Sequence, residues 1–410
     1  MCASANKCIT CADSWPYEGP RPALASQPRG GGSPAKDLDP RDLPLRCAFS
    51  ARLPARILRA ASQTRARQSL PHYNTATDRP PAATARVAVA MFSPAHAAVL
   101  SCFSRNILLL SLIVDDRHGD SQHAAWSLYY HLFLDGGCLA LLQAQAKKLL
   151  EASPSLDRWH QGPYGRLLRL CDSVTLAQVR DVWASYVNAG ARPPKAAFER
   201  ARQAKEAHGR GGNVLTAARS AAPFTLDAAS DAPLLFEQYR DRGITAGPDD
   251  TANPDLPNPM FSGEMDDLTL HYATDPTLGF HLATAYAPLA ASSPLNPNLA
   301  KAHGPEPAVK AARQQFAAWC SAFRQCSAHF TLRFFVGEAL TLCHVLQQKL
   351  TAGDESWAQW SRGPYMPDPL ILDGDDYRSG QALLAFNVID TSNLVDHFGS
   401  INLLLACLPT

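Results

Sequence analysis

The stretch T-L-R-F-F-V-G-E-A-L, residues 331–340, decides the fold of this chain. Its first six residues favour a β-strand, which ends at Gly337 and Glu338, and a helical pattern starts immediately afterwards. A strand that leads directly into a helix is typical of parallel α/β proteins. Since residues 334–336 are continuously apolar, we expect them to lie in a central strand that is buried on both faces.

A second junction of the same kind lies near the carboxyl end, at F-N-V-I-D-T-S-N, residues 386–393. Residues 388–389 are predicted to form another central strand, and the helix after it is expected to begin near Asn393. Helical patterns at residues 308–323 and 340–350 accompany the two strands. Strands separated by helices predict a parallel α/β sheet.

Further segments with an apolar period extend the predicted domain. They are helices at residues 105–114, 126–150, 175–187 and 195–208, and short strands at residues 213–216 and 268–272. Residues 135–137 interrupt the second of these helices, and Thr175 is the expected N-cap of the third. We therefore predict one α/β domain over residues 86–410, with a mainly helical insertion at residues 120–210.

The first 85 residues differ in composition, because arginine, proline and alanine dominate them. Such a composition buries too little apolar surface to offset the entropy of the chain, so we predict a disordered prefix. Residues 52–67 contain five arginines and no acidic residue. They are either a basic interaction patch or, as we favour, part of a solvated segment.

The overall composition excludes several classes of partner. Hydrophobic residues make up 46% of the chain, and 38 basic residues balance 37 acidic ones. A net charge of +1 favours neither nucleic acid nor an anionic membrane as a partner. No run of 18 apolar residues occurs, so no membrane span is predicted. No secretory leader precedes the 11 cysteines, which indicates a cytoplasmic, reducing location and buried thiols.

Three sets of side chains have the chemistry of metal ligands without a standard spacing. They are Cys8 with Cys11; His271 with Asp275 and His281; and Cys320 with Cys326, Cys343 and His344. The first set lacks a second pair, and the spacing of the others fits no known zinc site. We therefore predict no bound metal, with the second set kept as a weaker alternative.

The two strand-to-helix junctions supply the candidate ligand site. Ligands of parallel sheets bind beyond the carboxyl ends of the strands. The residues at that edge are Gly337, Glu338, Asp390, Thr391, Ser392 and Asn393. An acidic residue there could hold ribose hydroxyls. The alternative is that Ser392 or Asn393 only caps the following helix. The chain contains no nucleophile elbow, zinc-protease motif, Walker A loop or dinucleotide-binding glycine motif.

Taken in order along the chain, several motifs resemble one family. It is the largely fungal domain-of-unknown-function family similar to the amino-terminal domain of dynein axonemal assembly factor three. The stretches that carry the resemblance are residues 105–110, 126–135, 162–165, 270–276, 333–340 and 389–397. Some fungal members contain a MYND zinc finger elsewhere, and this chain shows no complete one.

The resemblance implies a Rossmann-like, methyltransferase-like parallel sheet with a large helical insertion. Family members begin with a strand, a G-C-G-D-x-R-N loop and a second strand that ends in an acid, around or before Arg105. This chain has the arginine-rich prefix and residues 85–91 instead, so we expect an incomplete sheet whose first βαβ unit is missing or replaced. Open sheet edges would then leave the fold marginally stable.

These observations lead to a prediction of function. We expect a non-catalytic protein-interaction or assembly domain without a cofactor, because the glycine loop that would approach a nucleotide is missing. The alternative is an S-adenosylmethionine-dependent methyltransferase in which Gly337, Glu338 and Asp390 line the pocket.

Overall fold

The computed structural model of the chain describes a defined part of the sequence, all of it within Leu43–Thr410. The described residues are 46–48, 85–91, 96–189, 234–235, 238–239, 242–245, 254–261, 280, 306–337, 339–354, 356–357, 370–382, 384, 388–390 and 399–407. They form a mixed α/β fold in which helices predominate and the sheets are small.

Helices and strands are numbered here in chain order. The helices are α1 His96–Asp115, α2 Gln122–Tyr130, α3 Gly136–Ala152, α4 Leu156–Gln161, α5 Ser173–Asn188, α6 Glu306–Cys326, α7 Ala339–Ala352, α8 Asp375–Arg378 and α9 Ser400–Cys407. The strands are β1 Arg46–Ala48, β2 Ala85–Met91, β3 Phe133–Leu134, β4 Leu168–Leu170, β5 Leu256–Pro257, β6 Phe330–Val336, β7 Ser356–Trp357, β8 Leu370–Ile371 and β9 Val388–Asp390. Short 3-10 turns occur at Pro259–Phe261 and Ser327–His329.

The main sheet has five strands in the order β4-β6-β2-β1-β9, and every neighbouring pair is parallel. The predicted parallel sheet is thus confirmed. In chain order its strands read 3-4-2-1-5, whereas the Rossmann order is 3-2-1-4-5-6. The two small sheets, β3-β5 and β7-β8, are antiparallel.

Strand β6 has neighbours on both sides, and Leu332, Phe334 and Val336 are buried. Its prediction as a central strand is confirmed. The corresponding prediction for β9 is wrong, because in the described part of the chain β9 pairs only with β1. Strand β1 lies between β2 and β9 and takes the inner position. The apolar pattern of residues 388–389 marks a strand but does not determine its place in the sheet.

The amino-terminal strands change the expected beginning of the sheet. Strand β2 lies at its centre, between β6 and β1, so the expectation that central strands lack neighbours on this side is wrong. Strand β1 falls inside the predicted disordered prefix. The other residues of 1–84 lie outside the described residues, so their disorder stays a prediction.

Side-chain caps decide where two of the helices begin. Asp135 accepts a hydrogen bond from the Cys138 backbone N–H at 2.8 Å and starts α3. The predicted helix of residues 126–150 is thus interrupted, but the break covers residues 131–135, and Gly136 and Gly137 belong to α3. Helix α5 begins earlier than predicted. Asp172, not Thr175, is its N-cap, because the Asp172 carboxylate accepts a hydrogen bond from the Thr175 N–H at 2.6 Å.

The core forms where α1 packs between β6 and α5. Phe103 of α1 meets Phe334 of β6 edge to face, with ring centroids 5.6 Å apart. Trp183 of α5 donates its indole N–H to the Ser104 carbonyl of α1 at 3.2 Å. The predicted apolar face of α5 is buried, as its spacing requires. None of the helices that the structure describes combines the length and apolar character needed to cross a lipid bilayer.

Candidate functional site

The predicted ligand site spans two strand ends that share one edge of the sheet. Asp390 is in register with Ala48, Ala48 with Val89, and Val89 with Phe334. Three steps between neighbouring strands separate β9 from β6 by about 14 Å. Since the strands are parallel, Gly337 and Asp390 belong to the same edge, but they are not adjacent there.

The rest of the predicted site lies outside the described residues: Glu338, Thr391, Ser392 and Asn393. The structure does describe Gly337, and a Cβ atom there would meet the ring of Phe335, which is buried. The packing of this ring therefore explains the glycine without any ligand.

A different set of charged residues comes together on β4 and β6. Arg169 and Arg333 are in register on these neighbouring parallel strands, so both side chains leave the same face of the sheet. The segment of residues 373–378, called here the clamp segment, covers that face through Asp375 and Asp376.

Asp376 is the buried centre of this network. Its Oδ2 atom accepts a hydrogen bond from Nη2 of Arg333 and lies 3.3 Å from Nη1 of Arg169. The side chains of Arg333 and Asp376 are only 7% and 6% exposed. Ions removed from water to this extent are retained only when they are paired, so the clamp segment and the arginines depend on each other.

His160, on α4, connects the clamp segment to the edge strand. Its Nδ1 lies 2.7 Å from Oδ1 of Asp375, and its Nε2 lies 3.1 Å from the carbonyl oxygen of Leu170. Both ring nitrogens of His160 therefore have a hydrogen-bond partner. Burial opposes ionisation of Asp375, but its hydrogen bond to His160 and the charge of Arg169 together hold its pKa below the usual value.

A glycine positions α4. A Cβ atom on Gly165 would collide with the backbone carbonyl oxygens of Trp159 and His160, so the turn after α4 closes only with glycine at that position. Residues 162–165, one of the stretches that carry the family resemblance, thus have a structural role in placing His160.

The start of α5 occupies the carboxyl end of β6. Thr175 Oγ1 donates to Asp172 at 2.8 Å and accepts a hydrogen bond from the Val336 backbone N–H at 3.2 Å. Burial raises the pKa of Asp172 to about 6, the bonds to Thr175 oppose this, and the charge of Asp373 adds to it. The sequence predicts a ligand at this strand end. In the structure the backbone N–H of Val336 instead donates its hydrogen bond to Thr175, in the first turn of α5.

Ligand atoms of His160, Asp375 and Asp376 lie within 4.8 Å of one another, which raises the question of a metal. The arrangement does not fit one. Both nitrogens of His160 already have hydrogen-bond partners, and the guanidinium groups of Arg169 and Arg333 already bind the carboxylates. The cluster is a salt-bridged connection between segments.

The metal-ligand sets considered from the sequence divide between described and undescribed residues. Cys320 and Cys326 are buried, as predicted, and burial raises the pKa of Cys320 to about 12, whereas Cys343 is only half-buried. The other two sets lie outside the described residues: Cys8, Cys11, His271, Asp275 and His281.

Sequence reasoning missed the residues of this charged network, although two signals for it exist. Arg333 interrupts an apolar strand, and a buried cation in a strand requires an anionic partner. The clamp segment, D-G-D-D-Y-R, follows the apolar residues 370–372 and is the matching acidic cluster. Only the fold connects them, because His160 and Asp375 are 215 residues apart in sequence.

Helix α9 is the second feature with functional potential. Ile401, Leu404 and Leu405 are 74%, 67% and 58% exposed, and they form what we call the apolar stripe. Ala406, on the opposite side, is buried, and Gln347 of α7 donates to its carbonyl at 3.2 Å. A helix that is apolar on both sides normally lies between two partners, whereas among the described residues α7 covers one side of α9.

Comparison with protein-family models, with curated proteins and with solved structures finds no match. The geometry of the described residues therefore carries the functional argument.

Proposed function

We propose that this chain is a non-catalytic α/β domain that works by binding a protein through the apolar stripe. The observation that carries the proposal is the solvent exposure of Ile401, Leu404 and Leu405 on a helix without a single charged residue. Exposed apolar side chains in a contiguous row mark protein interaction sites. Aliphatic side chains at positions i, i+3 and i+4 are the usual anchors of a helix in a partner's groove.

The chemistry of the charged network supports the non-catalytic part of this proposal. The carboxylates of Asp375 and Asp376 face the guanidinium groups of Arg169 and Arg333, and the pKa of the neighbouring Cys171 thiol is raised to about 12 by burial. A general base or nucleophile needs an accessible lone pair near the operating pH. The network is therefore better suited to holding segments together than to catalysis.

The resemblance to the family of the dynein axonemal assembly factor three amino-terminal domain belongs to the same proposal. Its stretches within α1, α4 and its turn, β6 and β9 occupy positions that build the sheet and core, which supports a shared architecture more than a shared reaction. The finer assignment, an incomplete Rossmann-like sheet, is supported by the parallel pairing, whereas the strand order departs from it.

The test is affinity capture from the native cell followed by mass spectrometry, with three baits. They are the wild-type chain, Leu404→Asp in the apolar stripe, and Val174→Asp as a matched control at an exposed position of α5. We expect a reproducible partner that Leu404→Asp loses and Val174→Asp retains. The same partners with all three baits, or none with any, would refute the proposal.

Calorimetry separates this proposal from the methyltransferase alternative. S-adenosylmethionine is titrated into the wild-type chain up to about 1 mM, where even a weak site gives a signal. We expect no binding heat. Saturable binding that is weakened by Asp390→Ala would support the alternative instead.

A further inference from the structure

Arg105 of α1 is a buried cation without a counter-charge in the described part of the chain. The residue is only 5% exposed, and its Nη2 donates a hydrogen bond to the backbone carbonyl of Tyr129 at 2.8 Å, whereas its Nε has no hydrogen-bond partner. None of the described carboxylates forms an ion pair with it. A guanidinium removed from water normally requires an anion, as Arg333 has in Asp376.

Two aromatic rings hold this guanidinium in place. Its Cζ lies 4.9 Å from the ring centroid of Tyr129 and 4.1 Å from that of Phe261. Cation–π contacts of this kind stabilise part of the positive charge, but they provide no lone pair for Nε. The position of the charged group is therefore fixed in advance, and one of its donors is left for another group.

Two further polar groups in this part of the core also lack partners. Nδ2 of Asn106 makes no hydrogen bond, while Oδ1 of the same side chain accepts one from the hydroxyl of Tyr129 at 3.0 Å. The buried hydroxyl of Tyr186 on α5 has no hydrogen-bond partner of ordinary geometry. Burial raises the pKa of Tyr186, and the nearby charge of Arg105 opposes this. Buried donors without partners are rare, so three in one region indicate a missing acceptor.

We propose that these donors bind one small carboxylic acid in its anionic form, in the core between α1, α5 and the turn Pro259–Phe261. A buried water would accept the hydrogen bonds but leave the charge of Arg105 unpaired. One cation matches an anion of single charge, and a planar carboxylate fits a guanidinium best. Because Arg105, Asn106 and Tyr186 are at most 5% exposed, the ligand is small and enclosed. The inference does not depend on the protein-binding role proposed for α9.

Thermal unfolding of the purified full chain tests the site, with sodium acetate as the probe. The chain is first dialysed against a carboxylate-free buffer, and sodium chloride keeps the ionic strength constant while acetate rises to about 100 mM at pH 7. A ligand that binds only the folded chain raises the melting temperature as its concentration passes the dissociation constant. We expect a rise of about 2 °C or more at a tenfold excess over that constant.

Three variants connect the rise to the proposed donors. Arg105→Met removes the charge while keeping most of the side-chain length, so it should lose the response to acetate. Arg158→Met, at an exposed position of α4, is the matched control and should keep it. Tyr186→Phe removes only a hydroxyl and should need at least threefold more acetate for the same rise.

The outcomes against the inference are definite. A wild-type chain that does not respond to acetate would overturn it, and so would an undiminished response of Arg105→Met, which would be a general effect of the salt. If Arg105→Met does not fold, Tyr186→Phe decides, and an undiminished response of that variant would overturn the inference equally.

Inorganic phosphate tests the class of anion. It carries more than one negative charge near pH 7, so the single charge of Arg105 would leave it partly uncompensated in the core. We expect a smaller rise in melting temperature with phosphate than with acetate at the same concentration and ionic strength. An equal or larger rise with phosphate would overturn the assignment to a carboxylate.

Discussion

Two regions of this chain reverse the usual placement of polar and apolar groups. Around the clamp segment, charged side chains such as Arg333 and Asp376 are buried. On α9, Ile401 and Leu404 are exposed to solvent. The buried charges are tolerated because the same chain supplies their counter-charges, whereas nothing in the described residues covers the exposed apolar groups. The buried charges are thus paired within the chain, whereas the apolar side chains of α9 remain exposed in the described part of the structure.

The largest expected effect comes from a substitution in the buried charged network around Asp376. Asp376→Asn keeps the shape of the side chain but leaves Arg333 and Arg169 without this counter-charge. Removing one partner of a buried ion pair typically costs about 3–5 kcal/mol, and we expect that loss in the free energy of unfolding by urea. The control is Asp157→Asn, whose exposed ion pair with Arg378 should be worth less than about 1 kcal/mol. Similar losses in both variants would contradict the distinction.

The second effect depends on pH and has a definite sign. The pKa of Asp172, ordinarily 3.8, is raised to about 6 by burial. Its folded form therefore binds a proton that the unfolded chain has already released, and stability falls as pH rises from about 4 to 6. We expect the stability of the wild type relative to Asp172→Asn to fall by roughly 2–3 kcal/mol between pH 4 and pH 7.

Asp375 provides the matched contrast for that experiment. Its pKa is lowered by the hydrogen bond to His160 and the charge of Arg169, against the effect of burial, so its contribution is present above the unfolded pKa and lost as pH falls through the folded value. The wild type relative to Asp375→Asn should therefore gain stability as pH rises. Slopes of the same sign for the two variants would disprove the assignment of these charges.

A third effect concerns the turn that positions His160. Gly165→Ala places a Cβ atom against the backbone oxygens of α4, so we expect a loss of about 1–3 kcal/mol in chemical denaturation. Gly136→Ala is the comparison, because no atom lies within 4 Å of the added group at the start of α3. That variant should be neutral or slightly more stable, and an equal loss in both would remove the steric explanation.

The smallest effect is expected on α9, where the apolar side chains are exposed. Leu404→Ser removes an apolar side chain that is 67% exposed, so the free energy of unfolding at low protein concentration should change by less than about 0.5 kcal/mol. Thermal unfolding at dilute and concentrated protein measures this. A large loss in the dilute sample would mean that the stripe packs within its own chain.

How much of the fold could be predicted depends on how local each signal is. Periodicity predicted α6, α7 and β6, since the residues that define each pattern are neighbours in sequence. It could not place β9 at the edge or insert β1 beside it, because strand order depends on which distant strands pair. For the candidate site, the sequence led to Gly337 and Asp390, whereas the structure brought together His160, Asp375 and two strand arginines.

By itself, the sequence determined that this chain alternates strands with helices in a parallel sheet, through local apolar patterns that each segment carries alone. It also determined that α9 has no charge to offer a partner. Only the tertiary structure decided that Arg333 would meet Asp376 and that Leu404 would remain exposed. Both outcomes depend on contacts between segments far apart in the chain, which no local pattern encodes.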